Sequence, residues 1–106
     1  MKESEVVALA GQVSYQKGSV VSRKILSGKR GNVTLFAFAE GEGLTEHTSP
    51  YDALVVVLEG QAAIRIADDE HQVAAGQAIR LPAGVPHALA ANQPFKMMLT
   101  MIRHDD

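Results

Sequence analysis

Turn-forming residues interrupt this chain so often that only short extended segments fit between them. The interruptions are Gly28 to Asn32, Glu40-Gly41-Glu42-Gly43, Gly60, Asp68-Asp69-Glu70, Gly76, Pro82 to Pro86 and Pro94. Glycine supplies backbone angles that other residues avoid, and proline removes a ladder donor, so both end strands. Between them lie apolar and β-branched runs at 19–26, 33–39, 53–58, 62–67, 71–73, 77–81, 87–91 and 95–102. The 40–43 segment reads as a mobile acidic loop, and 68–70 as a hairpin turn. Helical content is confined to residues 5–13, which Gly11 ends early. Seven or eight short strands with no long helix predict an all-β sandwich or barrel.

Length and charge set the function classes. A chain of 106 residues is one domain spanning 1–106, because a single core serves about 100–200 residues. The absence of cysteine excludes a disulfide framework, an iron–sulfur cluster, a thiolate zinc site and a Cys nucleophile. Ten basic against twelve acidic residues leave a net charge of −2, which gives no electrostatic footing for nucleic acid. The longest apolar run, Leu54 to Leu58, is far short of the roughly 20 residues that span a membrane. Met1-Lys2-Glu3-Ser4-Glu5 lacks the basic and apolar regions of a signal peptide, so a cytoplasmic location is expected. Gly41-Glu42-Gly43 begins like a dinucleotide fingerprint, but Glu46 stands where the third glycine belongs. No phosphate-binding loop and no Gly-x-Ser-x-Gly nucleophile elbow is present.

Two segments are apolar on both faces. Leu54-Val55-Val56-Val57-Leu58 shows no alternation, and in 95–102 Met98 and Ile102 stand opposite Phe95, Met97, Leu99 and Met101. A barrel of this size has little of its own to lay over an outer face. A homodimer is the expected cover, with residues 5–13 as the alternative cover within one chain.

Four histidines remain to carry chemistry. His104 belongs to the terminal tail and is expected to be frayed, and His71 follows a turn and is expected at the surface. His47 and His87 each follow a Gly- or Pro-rich loop at the edge of a strand. A lone histidine in such a place is ordinarily structural, with its ring nitrogens satisfied locally.

The spacing around these two histidines is similar to that of the cupin superfamily. Gly76-x5-Pro82-x-Gly84-x2-His87 matches the second cupin motif at its four diagnostic positions, with Ala91 where the family has Asn. The first motif, Gly-x5-His-x-His-x3–4-Glu-x6-Gly, falls on Gly41, His47, Ser49, Ala53 and Gly60, so its second His is Ser49 and its Glu is Ala53. The resemblance implies a jelly-roll barrel of two antiparallel sheets. It also implies that His47 and His87 are what is left of a four-ligand metal set. Residues two apart on a strand share a face, so His47, Ser49 and Ala53 are expected to line the interior together. Asp52 has the opposite parity and points outward unless Pro50 introduces a bulge that resets the alternation.

The expected function is therefore binding of a small polar or anionic molecule inside the barrel, around His47 and His87. Ser49, Val55, Val57, Phe36, Phe38 and Met97 are the wall candidates. No cofactor is expected to be tightly held, with at most a weakly bound divalent metal (Zn, Ni, Fe or Mn) on the His47–His87 pair. A metal-dependent dioxygenase or isomerase, with Asp52 or waters completing the sphere, is the first alternative. A metal-free isomerase or epimerase using His47 or His87 as general base is the second. An interaction module with a vestigial pocket is the third.

Overall fold

The computed structural model describes residues 1–103; His104 and its expected fraying lie outside the described residues. A 3-10 turn, Leu9–Gln12, precedes nine strands. These are β1 Val20–Gly28, β2 Gly31–Phe38, β3 Gly43–His47, β4 Tyr51–Glu59, β5 Gln61–Ile66, β6 Asp69–Ala74, β7 Ala78–Leu81, β8 His87–Ala90 and β9 Phe95–Arg103. They form a five-stranded sheet ordered β1-β2-β9-β4-β7 and a four-stranded sheet ordered β3-β8-β5-β6. Every pairing is antiparallel. The two sheets close over one apolar core, as a jelly roll. Among the described residues no helix is long and apolar enough to cross a membrane.

Two local expectations are corrected. The acidic loop ends at Glu42, and a strand, β3, starts at Gly43. Glycine at 43 serves close approach: a Cβ there would stand 2.4 Å from the Leu89 carbonyl oxygen of β8. The helical content of 5–13 shrinks to the single 3-10 turn, whose N-cap position, Ala8, offers no side-chain oxygen to the free backbone donors.

The period-2 rule decides what the large sheet buries. On β4 and β9 the inward residues pair across the ladder, with Val57 opposite Met97, Val55 opposite Leu99 and Ala53 opposite Met101. At one end Phe38 and Phe95 stack with ring centroids 4.5 Å apart, and Phe36 packs beside Phe38 at 6.0 Å. Phe38, Phe95 and Val57 have no exposed surface, so this end of the barrel is solid.

On the outer face of the same sheet, Leu9 and Val13 pack over Leu35, Ala37, Leu58 and Met98. Polar contacts hold this N-terminal segment down: Lys96 Nζ donates to the Ala10 carbonyl at 2.7 Å, and the Tyr15 hydroxyl donates to Glu59 Oε2 at 2.5 Å. Lys96 Nζ also sits 5.1 Å from the centre of the Tyr15 ring. Cover from within the chain thus reaches Leu58 and Met98. It leaves Leu54 and Ile102 exposed, at 43% and 60%.

Candidate functional site

β3 and β8 lie side by side, and in their register His47 is the direct partner of His87. That pairing brings together two residues far apart in the chain and sets their ring centroids 4.3 Å apart, edge to face at 66°. His87 is buried at 7% exposure, whereas His47 stands exposed at the mouth.

Each ring is oriented by its own strand. His47 Nδ1 lies 2.7 Å from the Thr45 carbonyl oxygen, and His87 Nδ1 lies 3.2 Å from that of Val85. A carbonyl only accepts, so Nδ1 carries the proton in both rings and Nε2 is left with its lone pair when the ring is neutral. Burial is the main force on His87 and pushes its pKa below the ordinary imidazole value; the Val85 carbonyl opposes this, and the charge of His47 adds to it.

The turn that delivers His87 is pinned by the β3–β4 connection. Gly84 adopts φ +76°, which a side chain would strain, and its N–H donates to the Ser49 carbonyl at 2.9 Å. Ala83 N–H donates to Asp52 Oδ1 at 3.1 Å. Ser49 Oγ accepts from Tyr51 N–H at 3.1 Å. The loop carrying His47 and the loop carrying His87 are therefore one hydrogen-bonded unit.

Behind the histidines lies a cavity of about 200 Å³. His47, His87, Ser49, Val55 and Met97 line it, as expected from the sequence, and so does Ala53. Phe36, Phe38 and Val57 do not line it. They share its parity, but they occupy the far end of their strands, where the Phe38–Phe95 stack fills the interior. The remaining walls are Leu44, Tyr51, Leu81, Leu89, Leu99 and Met101. Tyr51, Leu99 and Met101 could have been found by extending the alternation of Ala53–Val55 and Met97. Leu44 could not. It lies three residues from His47 and on an unbroken strand would face the other way, but a register shift between Leu44 and His47 turns both inward.

The donor set does not fit a tightly held metal. Among the described residues no three His, Asp or Glu side chains come together. Two imidazoles fall short of the roughly three protein ligands usual at a catalytic zinc. The alternation of β4 is not reset by Pro50, since Tyr51, Ala53 and Val55 all face the cavity. Asp52 therefore lies on the other side of β4, where it accepts from Ala83 and faces Arg80 Nη2 at 3.7 Å. Glu46 is engaged with Arg65 at 3.3 Å.

Two antiparallel sheets, a solid end, and a cavity entered past a cross-strand histidine pair define a small jelly-roll barrel. Residues 34–103 match the family model described as a cupin domain, and the chain belongs to that family. It is similar over its whole length to a conserved protein of unknown function from Streptococcus pyogenes, at 33% identity and a TM-score of 0.93, covering 93% of that chain. A cupin superfamily protein from Desulfitobacterium hafniense is 26% identical, with a TM-score of 0.92, 98% of this chain and 95% of that chain being covered. A cupin 2 conserved barrel domain protein from Leptotrichia buccalis is 36% identical over 90% of this chain and 46% of that one, with a TM-score of 0.87. None of the curated proteins matches the chain.

Proposed function

We propose that this cupin binds a small organic molecule in the barrel interior, held by the His47–His87 pair without help from a tightly bound metal. The observation that carries this reading is the cavity itself, about 200 Å³ of largely apolar wall with two oriented imidazoles at its mouth. Apolar walls with a few placed polar groups are the usual composition of a ligand site.

Cavity filling tests it. Ala53 lines the cavity and is small, so Ala53→Leu occupies the ligand's space while leaving both histidines in place. Protein purified without an affinity tag and held in chelator should gain thermal stability from members of a small-molecule library, and the Ala53→Leu variant should not. Equal gains in the two proteins would place the binding elsewhere and overturn the proposal. Gains seen only when the chelator is left out would return the metal-dependent alternative.

A further inference from the structure

The walls of the cavity say what chemistry its occupant has. Among the described residues no lysine, arginine, aspartate or glutamate lines it. Charged side chains close to the lining residues in sequence are paired: Glu46 with Arg65, and Asp52 with Arg80. The titratable side chains that line the cavity with His87 are the His47 ring across the β3–β8 ladder and the Tyr51 phenol from β4. A carboxylate or phosphate entering here would lose its hydration with no fixed cation to replace it. The anionic class of ligand expected from the sequence finds no support in these walls.

Hydrogen-bonding capacity narrows the class again. Nδ1 of each histidine is committed to a backbone carbonyl, so each neutral ring has one open position, the Nε2 lone pair, and that position accepts. Beyond the imidazoles, Ser49 and Tyr51 are the polar side chains among the described residues of the lining, and Ser49 Oγ already accepts from Tyr51 N–H. A sugar would bury more hydroxyls than this wall can satisfy. A pure hydrocarbon would drive water from Nε2 and put nothing in its place.

Size sets the upper bound. A dry apolar cavity of roughly 150 Å³ takes up benzene. At about 200 Å³ this one takes a single ring with small substituents. Met97 and Met101, flexible and polarisable, suit the face or edge of such a ring.

We infer that the occupant is an uncharged, compact molecule of the phenol class, an apolar ring bearing one hydroxyl that donates to an imidazole Nε2. This rests on the ligand-binding reading above and adds the substrate class to it.

The experiment uses the full chain at pH 7.5 in chelator, with carbon-13 in the methionine methyl groups. It is titrated separately with p-cresol, its isostere p-xylene, and 4-methylbenzoate. Met97 and Met101 report from the cavity, and Met98 on the opposite face of β9 serves as the internal control. p-Cresol should move the two cavity methyls and bind several-fold more tightly than p-xylene, although its hydroxyl is the better hydrated group. 4-Methylbenzoate should move neither. In His87→Leu the order of p-cresol and p-xylene should reverse, and His87→Gln, which restores an acceptor, should recover part of the preference. Should His87→Leu fail to fold, the order of the three probes on the unaltered chain still decides. Tighter binding of p-xylene or of 4-methylbenzoate to that chain overturns the phenol class and leaves barrel binding standing. Silent Met97 and Met101 methyls with all three probes also overturn the class, and the Ala53→Leu comparison then reports separately on whether the barrel binds anything.

Discussion

Asp52 Oδ1 accepts a hydrogen bond from the Ala83 backbone N–H at 3.1 Å, across the boundary between β4 and the turn that carries His87. The residue that sequence parity set aside as a candidate ligand is thus a brace for the turn. Asp52→Ala leaves that donor without its partner and should lower stability by about 1–2 kcal/mol, read as a fall in the urea midpoint. Asp52→Asn keeps an acceptor and should lose less. Neither should alter the metal content of the protein, whereas a ligand role for Asp52 would make both release metal.

Stability should rise with pH through the region just below neutrality. Burial holds the folded-state pKa of His87 below its unfolded value near 6.5. Between those two values the unfolded chain binds more protons than the folded one, so acid favours unfolding. The stabilisation is complete above about pH 6.5 and is lost as pH falls through the lowered value. Urea unfolding between pH 4.5 and 7.5 should show this rise, and His87→Gln should flatten it. A slope unchanged in that variant would assign the effect to other groups.

Metal content should be well below one equivalent after brief chelator treatment, measured by elemental analysis on tag-free protein. Ser49 and Ala53 stand at the two positions where the family motif has His and Glu, and neither replaces such a donor. The double variant Ser49→His with Ala53→Glu adds an imidazole and a carboxylate to the same cavity wall. It should gain metal binding that survives chelator. One equivalent in the unaltered chain would refute the reading of this site as metal-poor.

The outer face of the large sheet predicts self-association. Leu26, Val33, Thr100 and Leu54 form one cross-strand row, with Ile102 in the next, and Leu26, Leu54 and Ile102 are exposed beyond the reach of Leu9 and Val13. Light scattering at micromolar concentration should give twice the chain mass, and Ile102→Lys with Leu54→Lys should give the mass of one chain. A single-chain mass for the unaltered protein would mean that the N-terminal segment is cover enough.

Periodicity and punctuation made most of the barrel legible. The 54–58 run is apolar throughout and names no inward face by itself, so the parity of the motif positions His47, Ser49 and Ala53 had to supply it, and the Gly76-to-His87 spacing set His87 beside them. Parity could say which face a residue takes but not how far along the barrel it lies. That is why Phe36, Phe38 and Val57 passed for cavity walls, although the Phe38–Phe95 stack fills their end. β3 was misread because Gly41 and Gly43 look alike in sequence. Gly41 adopts φ +87° in a turn, while Gly43 lies in a strand pressed against Leu89. The cover supplied by Leu9 and Val13 was legible only as the alternative to a dimer, since it depends on Lys96 and Glu59, distant in the chain, reaching Ala10 and Tyr15.

The register shift in β3 gives the site a tolerance of chain length that substitutions do not reveal. Leu44 and His47 both reach the cavity only because an unpaired residue lies between them. Removing one residue at Thr45 or Glu46 would leave the leucine and the imidazole two apart, so a strand without the bulge would still turn both inward. An in-frame loss of one codon at this spot would thus yield a chain that loses the bulge and keeps its histidine pair. Among chains of this kind, the count of residues between Gly43 and the histidine of β3 would separate bulged strands from regular ones.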